Sequence, residues 1–267
     1  MALADFNPIP VVKPETLYDF EGGVKKTFGS QLLIDADAYY YDYHNLQQFL
    51  SALNPSTGLI SSELESAQRA RTYGFELESV WSPTADFQLT FNYSYLNARF
   101  TQFSGGFLDS SQLAPGCVGT GTVVGPCNGV FHTSLAGNAL PQSPENKVTL
   151  NPVYTMHLPV GKLTLSATYA FIDKQYYSVF STPNFLAPAY SDVDLRLLYQ
   201  PNQSHFTFIA FARNVTNERQ IVNYSTGYFV YGPANLVTAP AGYPSRGQIT
   251  YFVNPPTTYG LEIQARF

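Results

Sequence analysis

The strongest signal along this chain is alternation of apolar and polar residues with a period of two, and helical periodicity is nearly absent. The clearest stretch runs from Phe87 to Asn97. Phe87, Leu89, Phe91, Tyr93 and Tyr95 share one face, and Gln88, Thr90, Asn92 and Ser94 share the other. Residues two apart on a strand point the same way, so this segment has one apolar and one polar face. The pattern recurs. Leu32, Ile34, Ala36, Ala38 and Tyr40 oppose Asp35, Asp37, Tyr39 and Tyr41; Tyr73, Phe75, Leu77 and Trp81 oppose Gly74, Glu76 and Glu78. Leu163 to Phe171, Val193 to Tyr199 and Tyr259 to Phe267 alternate in the same way. Weaker matches cover 18–28, 148–156 and 206–214, and in the last of these the pattern leaves open which face is apolar.

This makes about nine strands, several longer than the roughly 9–11 residues a tilted strand needs to cross a bilayer. Aromatics stand towards the ends of the apolar faces: Tyr40, Trp81, Tyr95, Phe171, Tyr199 and Tyr259. That placement suits the aromatic girdles of a membrane barrel. The connections sort by length. Tight ones at Gly29-Ser30, 82–86, 159–162 and 201–204 alternate with long ones near 45–70, 101–146, 176–190 and 217–257. Short turns at one end and long loops at the other is the arrangement of outer-membrane barrels, and a sandwich has no reason to sort its loops so. The fold expected is all-β: an antiparallel up-and-down transmembrane β-barrel segment with short periplasmic turns and long external loops.

Composition agrees. Only 12% of residues are charged and 15% are aromatic, yet mean hydropathy is -0.10. A typical soluble domain carries about 25% charged residues. The net charge of -5 supplies no electrostatic footprint for nucleic acid. No apolar run reaches the roughly 18 residues of a helical span, and the first residues have no signal-peptide pattern. An odd number of strands does not close the usual bacterial barrel. The first strand also starts at the long-loop end, so the barrel is expected to be incomplete, with strands missing upstream.

Several stretches resemble the C-terminal barrel of the TonB-dependent outer-membrane receptors. Lys13-Pro14-Glu15 followed by Tyr18 to Lys25 is similar to that family's "K-P-E … Y-E-x-G-x-K" strand. Ala38 to Gln47 resembles its "fY-x-D-Y-x-D-L-Q" exit, and Tyr73-Gly74-Phe75-Glu76-Leu77-Glu78 its "x-G-x-E-L-E" strand. Asn92 to Ala98, Leu140-Pro141-Gln142-Ser143-Pro144 and Arg213-Asn214-Val215-Thr216-Asn217 resemble later motifs, in order. The resemblance implies uptake of a scarce nutrient such as a siderophore, cobalamin or a carbohydrate through a barrel plugged by an N-terminal domain. The implied organisation is residues 1–15 as a remnant of an external loop and 16–267 as barrel, without the plug. The implied partners are outer-membrane lipid, the barrel-assembly machinery, the missing plug with its upstream strands, and the TonB complex through that plug. The ligand is an unidentified small molecule. Tyr259, Ile263 and Phe267, on a strand ending the chain, fit the C-terminal barrel-assembly signal.

The candidate chemistry is sparse. Asp35/Asp37, Glu76/Glu78 and Asp192/Asp194, with Arg196, lie two apart on strand faces. Paired carboxylates serve general acid–base catalysis elsewhere, but here lining of a water-filled lumen, or contact with a plug, is the favoured reading. No nucleophile elbow accompanies them, and no enzyme activity, cofactor or metal is expected. His44, His132, His157 and His205 lack metal-ligand spacing. Cys117 and Cys127, in the longest loop, read as a disulfide closing an external ring, with free thiols or metal ligands as the alternative. The Gly-rich stretch around them lacks the Lys-Ser/Thr of a phosphate loop. Aromatics at 224–252 are candidates for a ligand-catching vestibule. Two other function classes remain at this point: a soluble all-β binding module and an outer-membrane β-barrel enzyme.

Overall fold

The computed structural model describes residues 12–53, 60–109, 130–228 and 247–266. In chain order the strands are β1 (Thr16–Phe28), β2 (Leu32–Leu53), β3 (Ile60–Thr84), β4 (Phe87–Gln102), β5 (Ser104–Asp109), β6 (Val130–Ser134), β7 (Asn146–Leu158), β8 (Gly161–Ile172), β9 (Gln175–Tyr176), β10 (Leu186–Ala187), β11 (Tyr190–Pro201), β12 (Phe206–Arg213), β13 (Ile221–Tyr228), β14 (Gly247–Val253) and β15 (Thr258–Ala265). Nine of them form one sheet in the order β1-β2-β3-β4-β7-β8-β11-β12-β15. Its neighbouring strands all pair antiparallel, an up-and-down meander that does not close on itself.

The register carries one apolar face across the sheet. Leu32 stands opposite Trp81 and Trp81 opposite Leu89, which faces Pro152. Further along, Tyr154 meets Leu165, Leu165 meets Leu197, Leu197 meets Ala210, and Ala210 meets Leu261. Phe75, Trp81, Leu165, Leu195 and Leu261 are all exposed on it. A contiguous apolar surface of this extent is a liability in water and the requirement in lipid. The register also settles the faces of β12: Phe208 pairs with Tyr199 and Ile263, so Phe206, Phe208, Ala210 and Ala212 lie on the apolar side.

β7 meets an obstacle at the centre of this sheet. Its amides alternate between neighbours: that of Thr155 turns to Asp86 on the β4 side, so position 152 turns to β8, opposite Ala167 by the register. Pro152 has no N–H to give there. The side chain of Asn151 fills the gap, its Nδ2 donating to the Ala167 carbonyl at 2.8 Å and to Thr168 Oγ1 at 2.8 Å. At bilayer depth an orphaned carbonyl costs several kcal/mol, so this substitute bond has a purpose.

The turns at 29–31, 85–86, 159–160 and 202–205 sit at one end, as the alternation predicts. The opposite end carries the long connections, and these contain further strand pairs. The segment near 45–70 continues the β2–β3 ladder out to Leu53 opposite Ile60. Within 101–146, β5 pairs with β6; within 176–190, β10 pairs with β9; within 217–257, β13 pairs with β14. These hairpins escape a search for alternation because, beyond the membrane, neither face needs to be uniformly apolar.

The core lies among these hairpins. Phe100, Phe103, Leu135, Val179, Phe180 and Phe185 are buried together with Leu50, Ala67 and Ala70, and Tyr43, Leu46 and Leu140 pack on them. The φ of Asn45 is 55° and the ladder skips it. Beyond this point Leu46 and Ala67 join the cluster that Tyr43 and Ala70 build on the polar side.

Candidate functional site

The polar face of β1–β3 holds the densest set of functional groups. Asp35 stands directly opposite Glu78, and Asp37 directly opposite Glu76, so the two sequence pairs are one cluster. Lys25 of β1 bonds Asp35. On the same face of β1, Glu21 is opposite Tyr39 and Asp19 opposite Tyr41. Directly opposed like charges disfavour a sheet pair, and one lysine leaves this wall strongly negative.

Above the carboxylates runs a ladder of tyrosines. Tyr39 and Tyr41 stack with centroids 5.1 Å apart, and Tyr41 meets Tyr43 edge-on at 6.4 Å. Tyr43 packs against the buried apolar cluster, so the ladder joins the hairpin end to the acidic wall. Gly74 stands opposite Tyr39. A Cβ on it would fall 2.0 Å from the Tyr95 carbonyl oxygen and 2.7 Å from the Tyr39 hydroxyl. The glycine of the Gly74-Phe75-Glu76 stretch is thus the space the Tyr39 ring occupies.

Asp192, Asp194 and Arg196 share the polar face but not this cluster, since β4, β7 and β8 intervene, a separation of roughly 19 Å at ordinary strand spacing. Asp194 accepts the backbone N–H of Asn214 at 2.9 Å. Asn214, buried and with φ 51°, is a hub. Its Nδ2 donates to the carbonyls of Glu218 (3.0 Å) and Pro255 (2.9 Å), and its Oδ1 accepts the Glu218 amide at 2.9 Å. The Arg213-Asn214-Val215-Thr216-Asn217 stretch therefore closes the base of the β13–β14 hairpin. Arg196 faces Ser166 and Phe211.

Of the remaining candidates, Tyr259 and Ile263 are exposed on the apolar face of β15. Cys117, Cys127 and Phe267 lie outside the described residues, as do Phe229, Tyr231 and Tyr243. Tyr224 packs against Phe185 (4.9 Å) and Tyr177 (5.8 Å), and Tyr251 donates to the Asn184 carbonyl at 2.8 Å. These rings bind hairpin to hairpin. His157 faces Asp86 at the short-turn end, 3.2 Å away, and His44 lies 3.9 Å from Asp42. Among the described residues no group of three or more His, Cys, Asp or Glu is placed to hold a metal ion.

Outside the polar face, Asp42 receives a bidentate bond from Arg69, with Nε to Oδ1 at 2.8 Å. That bond holds its carboxyl below the usual range, against the opposing effect of burial. A groove of about 550 Å³ lies on the apolar face among Pro152, Tyr154, Leu165, Ala167, Leu195 and Ala210. Its walls suit lipid tails rather than a polar solute.

One apolar and one polar face, short turns at one end and hairpins at the other define the wall of a membrane β-barrel. The model of the TonB dependent receptor-like β-barrel matches residues 2–217, and the chain belongs to that family. Among solved structures it is similar to the ferric yersiniabactin uptake receptor FyuA of Yersinia pestis, with a TM-score of 0.64 at 14% identity over 95% of this chain and 30% of that one. It is similar also to BauA, the ferric preacinetobactin receptor of Acinetobacter baumannii (TM-score 0.56, 19% identity, 92% of this chain and 29% of that one). The copper transporter OprC gives a TM-score of 0.58 at 14% identity, over 95% and 32%. The chain thus spans about a third of the length of these receptors. No curated protein matches it.

The tyrosine ladder, the Asn214 hub and the pairing of the two acid clusters depend on cross-strand register, which the sequence of one strand does not carry. Alternation placed Tyr39 and Tyr41 beside the acids, and only register shows what they face.

Proposed function

We propose that this chain forms part of the barrel wall of an outer-membrane receptor that imports a scarce solute with energy delivered through TonB. The observation that carries the reading is the segregation of the sheet into a continuous apolar face and a polar face bearing Asp35, Asp37, Glu76 and Glu78. In this reading the polar face lines the lumen. The acidic wall holds basic groups of a plug domain, and Asp192, Asp194 and Arg196 face the same space. The hairpins at the outer end capture the solute, which passes the tyrosine ladder on its way inwards. Cys117 and Cys127 close an external ring, and Tyr259, Ile263 and Phe267 serve barrel assembly. The protein performs no covalent chemistry.

Siderophore complexes and copper, carried by the similar receptors, define the first solutes to try. Uptake of radiolabelled ferric siderophores and copper is compared in cells with and without the gene, before and after collapse of the proton-motive force. The reading predicts gene-dependent uptake of one such solute that stops when the force is collapsed. Uptake that is unaffected by gene loss across these solutes and a cobalamin and carbohydrate panel contradicts it.

A further inference from the structure

The rows of the apolar face can be followed outwards across the register. Tyr40 stands opposite Tyr73, and Tyr73 opposite Asn97. The next row towards the hairpins is Asp42, Arg71 and Arg99, and the one after it holds His44 and Arg69. The belt that faces lipid therefore ends on tyrosine and gives way to arginine within two residues, about 7 Å along the strand.

Arg71 and Arg99 are direct cross-strand partners. Two like charges in that relation weaken a sheet unless an anion lies between them. The carboxylates nearby are already engaged: Arg69 grips Asp42, and Arg99 pairs with Glu145 at 2.8 Å while also donating to the Gly137 carbonyl. Arg71 forms no salt bridge among the described residues, although Asp42 stands directly opposite it in the register and feels its charge. Its guanidinium lies over the Tyr40 ring, 5.6 Å from the centroid, and its Nε is buried without a hydrogen-bond partner.

We propose that Arg71, with Arg99 beside it, binds the phosphate of an anionic lipid in the outer leaflet. The inference rests on the orientation given above, with the hairpins outside. Lipid phosphates lie just beyond the acyl layer, at the height where interfacial aromatics give way to charge. A planar guanidinium offers two parallel donors to such a group. Both arginines continue the strand phase of the apolar rows, and the Arg71 guanidinium lies over the Tyr40 ring, so acyl chains of the same molecule would lie on the apolar rows below. A soluble phosphate would have no use for that surface, which is why a lipid is the occupant.

The test uses the full-length protein extracted from outer membranes and placed in nanodiscs of neutral phospholipid. Binding of bisphosphorylated lipid A and of its dephosphorylated form is measured for the wild type, Arg71→Gln, Arg71→Lys and a control, Lys26→Gln. Lys26 lies on the same face at the short-turn end, over the Phe28 ring. The expected result is a roughly tenfold loss for Arg71→Gln with the phosphorylated lipid, a smaller loss for Arg71→Lys, and none for the control. Dephosphorylation should weaken the wild type equally and leave Arg71→Gln unchanged. Equal binding of both lipids by the wild type overturns the proposal, as does full competition by millimolar inorganic phosphate. External protease access to the 217–257 hairpin on intact cells tests the orientation separately. Cleavage there with no phosphate dependence refutes the lipid site alone, whereas no cleavage in cells that export the protein refutes the orientation.

Discussion

Asn151 donates its side-chain amide to the Ala167 carbonyl, restoring at 2.8 Å the bond that Pro152 withholds from the β7–β8 ladder. The Asn-Pro pair is one unit: the proline creates the vacancy and its neighbour closes it. Asn151→Ala should destabilise the protein by about 1–3 kcal/mol, the cost of a buried acceptor left unpaired. Adding Pro152→Ala returns an N–H at the right place and should recover most of that loss. Denaturant unfolding in detergent micelles, run as a double-mutant cycle, checks both statements; additive losses would break the link between the two residues.

Gly74 gives the second prediction. With the Tyr95 carbonyl 2.0 Å from where a Cβ would stand, Gly74→Ala must displace backbone as well as the Tyr39 ring. A loss of about 1–3 kcal/mol, as for overpacked sites, is expected. Tyr39→Ala relieves only the side-chain contact, not the clash with the Tyr95 carbonyl, and should not rescue it. Thermal loss of the heat-modifiable folded band on a gel measures the effect.

Much of this architecture is legible in the sequence, and the illegible part has a physical cause. β4 begins at Phe87 where the alternation begins, because a strand between lipid and water must alternate. β2 runs on past Tyr41 to Leu53 because its extension leaves the bilayer, where that constraint lapses. Asp35 and Glu78 each declare their face, but neither announces that the other stands opposite. Register follows from turn length and pairing, which no single strand contains. Arg71 is hidden in the sequence for a related reason: it continues the apolar phase of Tyr73 and Phe75 while breaking its chemistry.

Phe100 is 1% exposed at the heart of the cluster that joins the hairpins. Phe100→Ala should cost about 3–5 kcal/mol locally. Because the cluster lies beyond the lipid-facing rows, the loss should fall on the outer hairpins first. Hydrogen exchange resolved by peptide should show faster exchange in 130–134 and 175–187, with β7 and β8 unchanged. Uniform acceleration would mean that the cluster and the sheet unfold together.

The Asp42–Arg69 pair sets a pH response outside the bilayer. The folded carboxyl is held below its ordinary value, chiefly by the bond from Arg69. The stability it contributes is therefore fully present above the unfolded carboxyl pKa, about 3.9, and is lost as pH falls through the lower folded value. Protease protection of the outer part of β2–β3 should fall as pH drops below about 4, beyond any general loss. Asp42→Asn should begin weaker at pH 7 and show less of this acid-induced fall; identical pH profiles would remove the pair from the account.

The central claim is that neighbouring residues on these strands face different solvents, and spin labels on β3 test it most directly. With Cys117 and Cys127 replaced by serine in the full-length protein, single cysteines are introduced as Phe75→Cys, Glu76→Cys, Leu77→Cys and Glu78→Cys, then labelled and reconstituted in bilayers. Collisions with lipid-soluble oxygen and with a water-soluble nickel chelate are compared. The account predicts oxygen dominance at 75 and 77 and a lower oxygen-to-nickel ratio at 76 and 78. Equal ratios at all four positions, or the opposite alternation, would contradict it.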